Sequence, residues 1–281
     1  MIVGIALLSC MDAIVKWLVT HDVSVLHILA LRSALIVPLL LFISIARGRL
    51  KDLVPVNKTH QTIRSLMGIA APLMFFLGLR YLPLTDSVVV FFTSTLAITF
   101  FSAIVLKEKV GIHRWSAVIV GYIGIVIAMK PTGGGELIGY LLAFGGSLAY
   151  AYLFLSGRYL TQTETVYSLV FYFNLGVGVT STLWILLFAN DLFALPSREA
   201  LLGIFAIAAL AVCGHYLITL AFAKAQASLV APLEYTAIIW AIGLDLLIWQ
   251  LQPSVTVLSG GAVIILSGLY VMYREQRTRP T

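Results

Sequence analysis

The feature that most constrains this chain is a succession of apolar runs, each about 20 residues long, the length a helix needs to cross a bilayer. They fall at residues 2–20, 26–46, 61–80, 84–106, 111–129, 138–157, 165–188, 200–222, 228–249 and 254–273. Runs of this kind are about twice as long as a barrel strand requires, and they do not alternate, so helices are the economical reading. Short breakers separate them at residues 47–60, 107–109, 130–136 and 189–199. The pattern predicts an all-α polytopic membrane protein with ten transmembrane helices.

Composition agrees. Of 281 residues, 60% are hydrophobic and 11% are charged, with a mean hydropathy of +1.02. An average soluble domain carries roughly 25% charge. So few charged residues cannot clothe one globular core, which argues against a soluble enzyme, a nucleic-acid binder or a disordered chain. The net charge of +6 resides in short loops rather than in one patch, so no nucleic-acid partner is expected. Cys10 and Cys213 sit in apolar runs and suggest neither a disulfide framework nor a metal site. The first run has no basic leader and carries Asp12 and Lys16, so it reads as a retained span.

Lys and Arg counting predicts the orientation. With the N-terminus in the cytoplasm, the inside segments hold thirteen basic residues, among them Arg47, Arg49, Lys51, Lys58 and Arg64. The outside segments hold three, Arg80, Lys130 and Arg198. Both termini are therefore expected in the cytoplasm.

The two halves resemble each other. RYLPLTDSVVVFFTSTLAITFF (80–101) matches AFAKAQASLVAPLEYTAIIWAI (221–242) at a shift of 141, each with a short turn leading to Ser87 or Ser228. The fifth and tenth runs share a small-x6-Gly frame, Ala117 to Gly124 and Gly261 to Gly268. Five spans per copy is an odd number, so the second copy must be inserted upside down. The expected domains are 1–130 and 131–281, two inverted five-helix repeats around a central cavity, an arrangement typical of alternating-access transporters.

An ionisable group inside a span costs about 2.5–3.5 kcal/mol on insertion scales and is a functional candidate by default. Asp12 and Lys16 are four apart on one helical face, either neutralising each other or facing the cavity. Arg32 lies deep enough to want a carboxylate, which Asp12 or Asp245 would supply, or to bind an anionic solute group. Glu234 and Asp245 share one face of the ninth span, and Pro232 removes a backbone hydrogen bond just before Glu234. A carboxylate beside such a break is the best single site candidate, for a substrate ammonium or a coupling proton. Tyr150, Asn174, His215, Tyr216, Tyr235 and Trp240 lie away from span ends, where interface belts do not account for them. They are taken as candidates for substrate contact.

No zinc-protease, nucleophile-elbow or P-loop motif is present in the sequence, so transport without an enzymatic step or cofactor is expected, driven by gradients. The expected partners are a small-molecule substrate and the lipid bilayer, with no obligate protein partner.

The turn LRYLPLTDSV (79–88) and the span-end loop LKEKVGIHRWSAVIVGYIGIVI (106–127) together resemble the EamA family of the drug/metabolite transporter superfamily. Leu106 to Lys109 matches that family's glutamate-containing loop, whereas IWQLQPS (248–254) in the second half lacks the glutamate. Within the family the chain is most similar to the YddG-type exporters. The resemblance implies a ten-helix basket opening to one side at a time, and export of neutral or aromatic amino acids across a bacterial inner membrane.

Overall fold

The computed structural model describes the chain apart from residues 22, 79–80, 82–83, 131–132, 134–135, 189–196, 251–254 and 279–281. For residues 20, 76, 84–86, 245, 249, 271–272 and 274–278 it describes only the backbone. Every described element is helical. Twelve α-helices run in chain order as α1 (Ile2–Thr20), α2 (Val25–Ala46), α3 (Lys58–Gly78), α4 (Leu84–Phe91), α5 (Thr93–Ile104), α6 (Ile112–Met129), α7 (Leu137–Leu160), α8 (Val166–Phe188), α9 (Arg198–Lys224), α10 (Ala227–Val230), α11 (Ala237–Trp249) and α12 (Val255–Thr278). Short 3-10 turns stand at Leu50–Leu53 and Ala231–Thr236.

Among the described residues, eight helical segments are long and apolar enough to cross a membrane. The other two apolar runs also form helices, with polar ends. Helix α3 opens on Lys58, His60, Gln61 and Arg64, and the apolar stretch of α12 ends at Tyr270. Large apolar side chains such as Phe42, Leu187, Leu247 and Val255 lie outward, as lipid-facing positions require.

Two spans are interrupted. The run 84–106 is broken at Phe92 between α4 and α5, a break the sequence does not announce with Pro or Gly. Thr93 turns its hydroxyl back onto the Val90 carbonyl at 2.6 Å, and Thr95 N–H bonds the Phe92 carbonyl in a tight turn. Such local hydroxyl-to-backbone bonds compete with the helical ladder. The break expected at Pro232 takes the form of the 3-10 turn Ala231–Thr236 between α10 and α11.

The chain forms two compact units, each drawn from separated stretches. Unit 1 comprises Met1–Ile2, Ala70–Tyr159 and Ala221–Thr281; unit 2 comprises Val3–Ile69 and Leu160–Leu220. In unit 1, α6 packs along α12. A Cβ on Gly124 would stand 2.9 Å from the Gly260 carbonyl oxygen, so glycine sets this close approach. On α12 the approach is made by Gly260, while Gly268 has open space around it. Tyr235 is fully buried there with Val89, Ile125, Ile238 and Ile264. In unit 2, α2 packs along α8, and Leu18, Ile28, Ile36, Ile204 and Ile207 form its core.

Candidate functional site

In unit 1 the site is built around Glu234. The residue is 7% exposed and sits in the 3-10 turn, where the chain leaves α10 before entering α11. Pro232 brings no N–H to this turn, which favours the unwound form over a continued α-helix. The hydroxyls of Thr95, on α5, and Tyr150, on α7, face the carboxyl. Even so, Oε1 of Glu234 and Oγ1 of Thr95 are both buried without a hydrogen bond. Tyr150 also belongs to an aromatic row, with its ring 5.3 Å from Phe91 and 4.7 Å from Phe154. This is a carboxyl with spare acceptor capacity inside a membrane-spanning segment.

The neighbouring candidates differ in setting. Tyr235 packs into the core, under Gly121 and edge-on to Phe92, with its hydroxyl 3.5 Å from the Val118 carbonyl. Trp240 is 39% exposed. The side chain of Asp245 lies outside the described residues.

Unit 2 holds a separate polar set. Arg32 is buried on α2, its guanidinium 3.5 Å from the Met11 sulfur and coupled electrostatically to Asp12 on α1. Asp12 and Lys16 are both exposed. Asp12 is one of the two carboxylates the sequence offers Arg32. His215, on α9, stacks with Phe173 at 4.9 Å and feels the charges of both Arg32 and Arg64. Asn174 is fully buried, with its amide donating to the Val170 carbonyl at 2.8 Å. Tyr216 is 39% exposed.

Three polar residues outside the expected set are prominent. Arg64 counts among the cytoplasmic loop cations in the sequence, but it is 4% exposed on α3 and donates to the Leu169 carbonyl at 3.0 Å. Its electrostatic partner is Glu164, which also accepts from Asn57 N–H at 3.2 Å and Ser168 Oγ at 3.3 Å. The orientation count thus loses one inside cation. A signal was present, since Arg64 lies inside the run drawn from residue 61.

The third is Glu108, in the loop after α5. Its carboxylate receives Ala227 N–H at 3.0 Å, Ser228 N–H at 3.2 Å and Ser228 Oγ at 3.2 Å, and stands 3.7 Å from Arg158. It therefore anchors the first turn of α10. Arg114 adds bonds to Gln226 and Ser228 at the same place. The counterpart Ser87 is fully buried and its hydroxyl has no hydrogen-bond partner. In the turn 79–88 that carries the family resemblance, residues 79–80 and 82–83 lie outside the described residues, as does the loop 251–254.

Arg32 and His215 lie in helices long and apolar enough to cross a membrane, and known proteins resemble this chain. The model of the EamA-like transporter family matches residues 1–130. Relatives extend the likeness along the chain. An S-adenosylmethionine uptake transporter of Rickettsia conorii is 24% identical over 79% of this chain and 76% of its own. A pseudopaline exporter of Pseudomonas aeruginosa is 26% identical over 73% of this chain and 72% of its own. One solved crystal structure superposes on 99% of this chain and 96% of its own with a TM-score of 0.81, at 18% identity, which shows a shared fold. The protein is a multi-span membrane protein whose relatives are transporters.

Proposed function

We propose that the protein is a secondary transporter that exports small amino-acid-type metabolites by alternating access, in the manner of the YddG-type exporters. Its place is the bacterial inner membrane, with both termini cytoplasmic and residues 1–130 and 131–281 acting as inverted five-helix repeats. The observation that carries the reading is the Glu234 carboxyl, buried in the break of a span with an oxygen left unbonded. Such a group suits a solute ammonium, since a buried carboxylate needs a cationic partner. Tyr150 and Phe91 beside it suit an apolar or aromatic side chain. S-adenosylmethionine, the solute named for one relative, is itself an α-amino acid, which supports this solute class. The polar groups of unit 2, Arg32 and Asp12 foremost, are proposed as a separate point of solute contact.

Counterflow in proteoliposomes tests the function. Vesicles preloaded with unlabelled amino acid should accumulate the labelled form of at least one neutral or aromatic amino acid, and protein-free vesicles should not. Absence of exchange across the panel would remove amino acids as the solute class. For topology, a C-terminal reporter should be active in the cytoplasm; one active only in the periplasm would reverse the orientation.

A further inference from the structure

We propose that Gln61 and Arg64, three residues apart on α3, form a carboxylate-binding site in unit 2 that receives the anionic end of the solute. The proposal rests on the transport reading above and gives its contact in unit 2 two further residues and a chemical class.

Gln61 is 2% exposed, yet its amide oxygen and its amide nitrogen are both buried without a hydrogen bond among the described residues. Arg64 is 4% exposed; Nη1 donates to the Leu169 carbonyl at 3.0 Å, while Nε is buried and unbonded. A buried amide with neither end satisfied is rare and calls for a partner that the chain does not provide. Residues three apart on a helix share a face, so these groups offer their spare capacity on the same side of α3.

The frame around them is satisfied, which sets the pair apart from a loosely packed helix end. Asn57 caps α3, its side-chain oxygen accepting His60 N–H at 3.2 Å, and Asn57 N–H is held in turn by Glu164 Oε1. Ser65 donates to the Tyr172 carbonyl at 3.1 Å and lies against Gly176, where an added Cβ would stand 2.9 Å from the Ser65 Cβ. Contacts with Leu169, Tyr172 and Gly176 thus seat this end of α3 on α8. Glu164 acts on Arg64 electrostatically, but its oxygens are bonded to Asn57 N–H and Ser168 Oγ. The Arg64 Nε–H is left over.

The spare groups are therefore two donors, Arg64 Nε–H and Gln61 Nε2–H, and one acceptor, Gln61 Oε1. A carboxylate answers both donors, one oxygen to the guanidinium in a charge-assisted bond and the other to the amide. Gln61 Oε1 then accepts from a donor carried beside the carboxylate. A cation would meet one acceptor and be opposed by the Arg64 charge, and an apolar group would leave all three unsatisfied. An anionic lipid phosphate offers the same oxygens as a carboxylate, and the experiment separates the two.

The test exploits the absence of any bond from the Gln61 side chain to the protein. Isothermal titration of purified protein in lipid-free detergent measures the affinity of L-phenylalanine, 3-phenylpropionate and 2-phenylethylamine. The first two carry the carboxylate and the third lacks it. Gln61→Leu should melt at or above the wild-type temperature and bind both carboxylates about tenfold more weakly, while its affinity for 2-phenylethylamine changes by less than about threefold. Arg64→Lys, which keeps the charge and removes the planar fork, should show the same selective loss. A lower melting temperature for Gln61→Leu would assign the amide to the scaffold and overturn the proposal. Equal losses for all three compounds, no loss for any, or binding of neither carboxylate to wild type would also overturn it. Phosphatidylglycerol added to the micelles should leave the L-phenylalanine affinity unchanged; competition by the lipid that disappears in Gln61→Leu would give the site to a lipid head group. Absent counterflow with carboxylate-dependent binding intact defeats only the transport reading, whereas counterflow and binding that Gln61→Leu leaves untouched defeat only this site.

Discussion

The two broken spans of unit 1 invite comparison, because the shift of 141 that aligns Ser87 with Ser228 also aligns Thr93 with Glu234. Both spans are interrupted in the same register, at Phe92 in the first and within Ala231–Thr236 in the second. Their chemistry differs at each level. At the entrance, Ser228 is held by Glu108 while Ser87 has no hydrogen bond. At the break, Thr93 meets both the Val90 carbonyl and Ser147 Oγ, the latter at 2.9 Å, whereas Glu234 keeps a free oxygen. The second span is thus firmly anchored at its start and left chemically open at its centre. An anchored entrance and an open break together describe a site; a satisfied break describes a joint.

Removing the anchor should cost most. Glu108→Ala strips charge-assisted bonds from Ala227 and Ser228 and leaves Arg158 without its carboxylate, for a loss of about 3 kcal/mol. Thermal unfolding in detergent measures it. A melting temperature indistinguishable from wild type would mean that α10 does not depend on this carboxylate.

The serines come next. Ser228→Ala should destabilise by about 1 kcal/mol, within the usual range for one hydrogen bond, whereas Ser87→Ala should be neutral or mildly stabilising, since it removes a buried hydroxyl that bonds nothing. Equal effects in parallel melts would erase the difference between the two entrances.

At the breaks themselves, Thr93→Val should cost about 1 kcal/mol through the lost bonds to Val90 and Ser147. Glu234→Gln should change stability least, by less than about 0.5 kcal/mol, because no ion pair is lost and the volume is kept. Its effect is expected in solute binding. If Glu234→Gln proved more destabilising than Thr93→Val in the same melts, the carboxyl would be part of the scaffold.

Unit 2 offers a contrast of another kind. There, buried cations couple electrostatically to carboxylates, Arg64 to the buried Glu164 and Arg32 to the exposed Asp12.

Much of this protein was legible along the chain because its causes are local. Apolar runs of bilayer length specify membrane helices, since every backbone group in lipid must be bonded within its own segment. Pro232 announces the break in the ninth span from a single missing N–H, and Glu234 stands out because an acid is expensive at that depth. The other decisive features depend on residues far apart in sequence. Glu108 meets Ala227 across 119 positions, and Arg64 meets Leu169 across 105. Nothing near Glu108 distinguishes an anchor from a loop charge, and the one local sign at Arg64 is its place inside the apolar run drawn from residue 61. The break at Phe92 has no proline to mark it; Thr93 there bonds both the Val90 carbonyl of its own turn and Ser147 on α7. Hydropathy and backbone chemistry act over a few residues and can be read from sequence, whereas partners for buried polar groups are assigned only when distant helices pack, so the tertiary structure alone decided which charges are anchored and which carboxyl is left free.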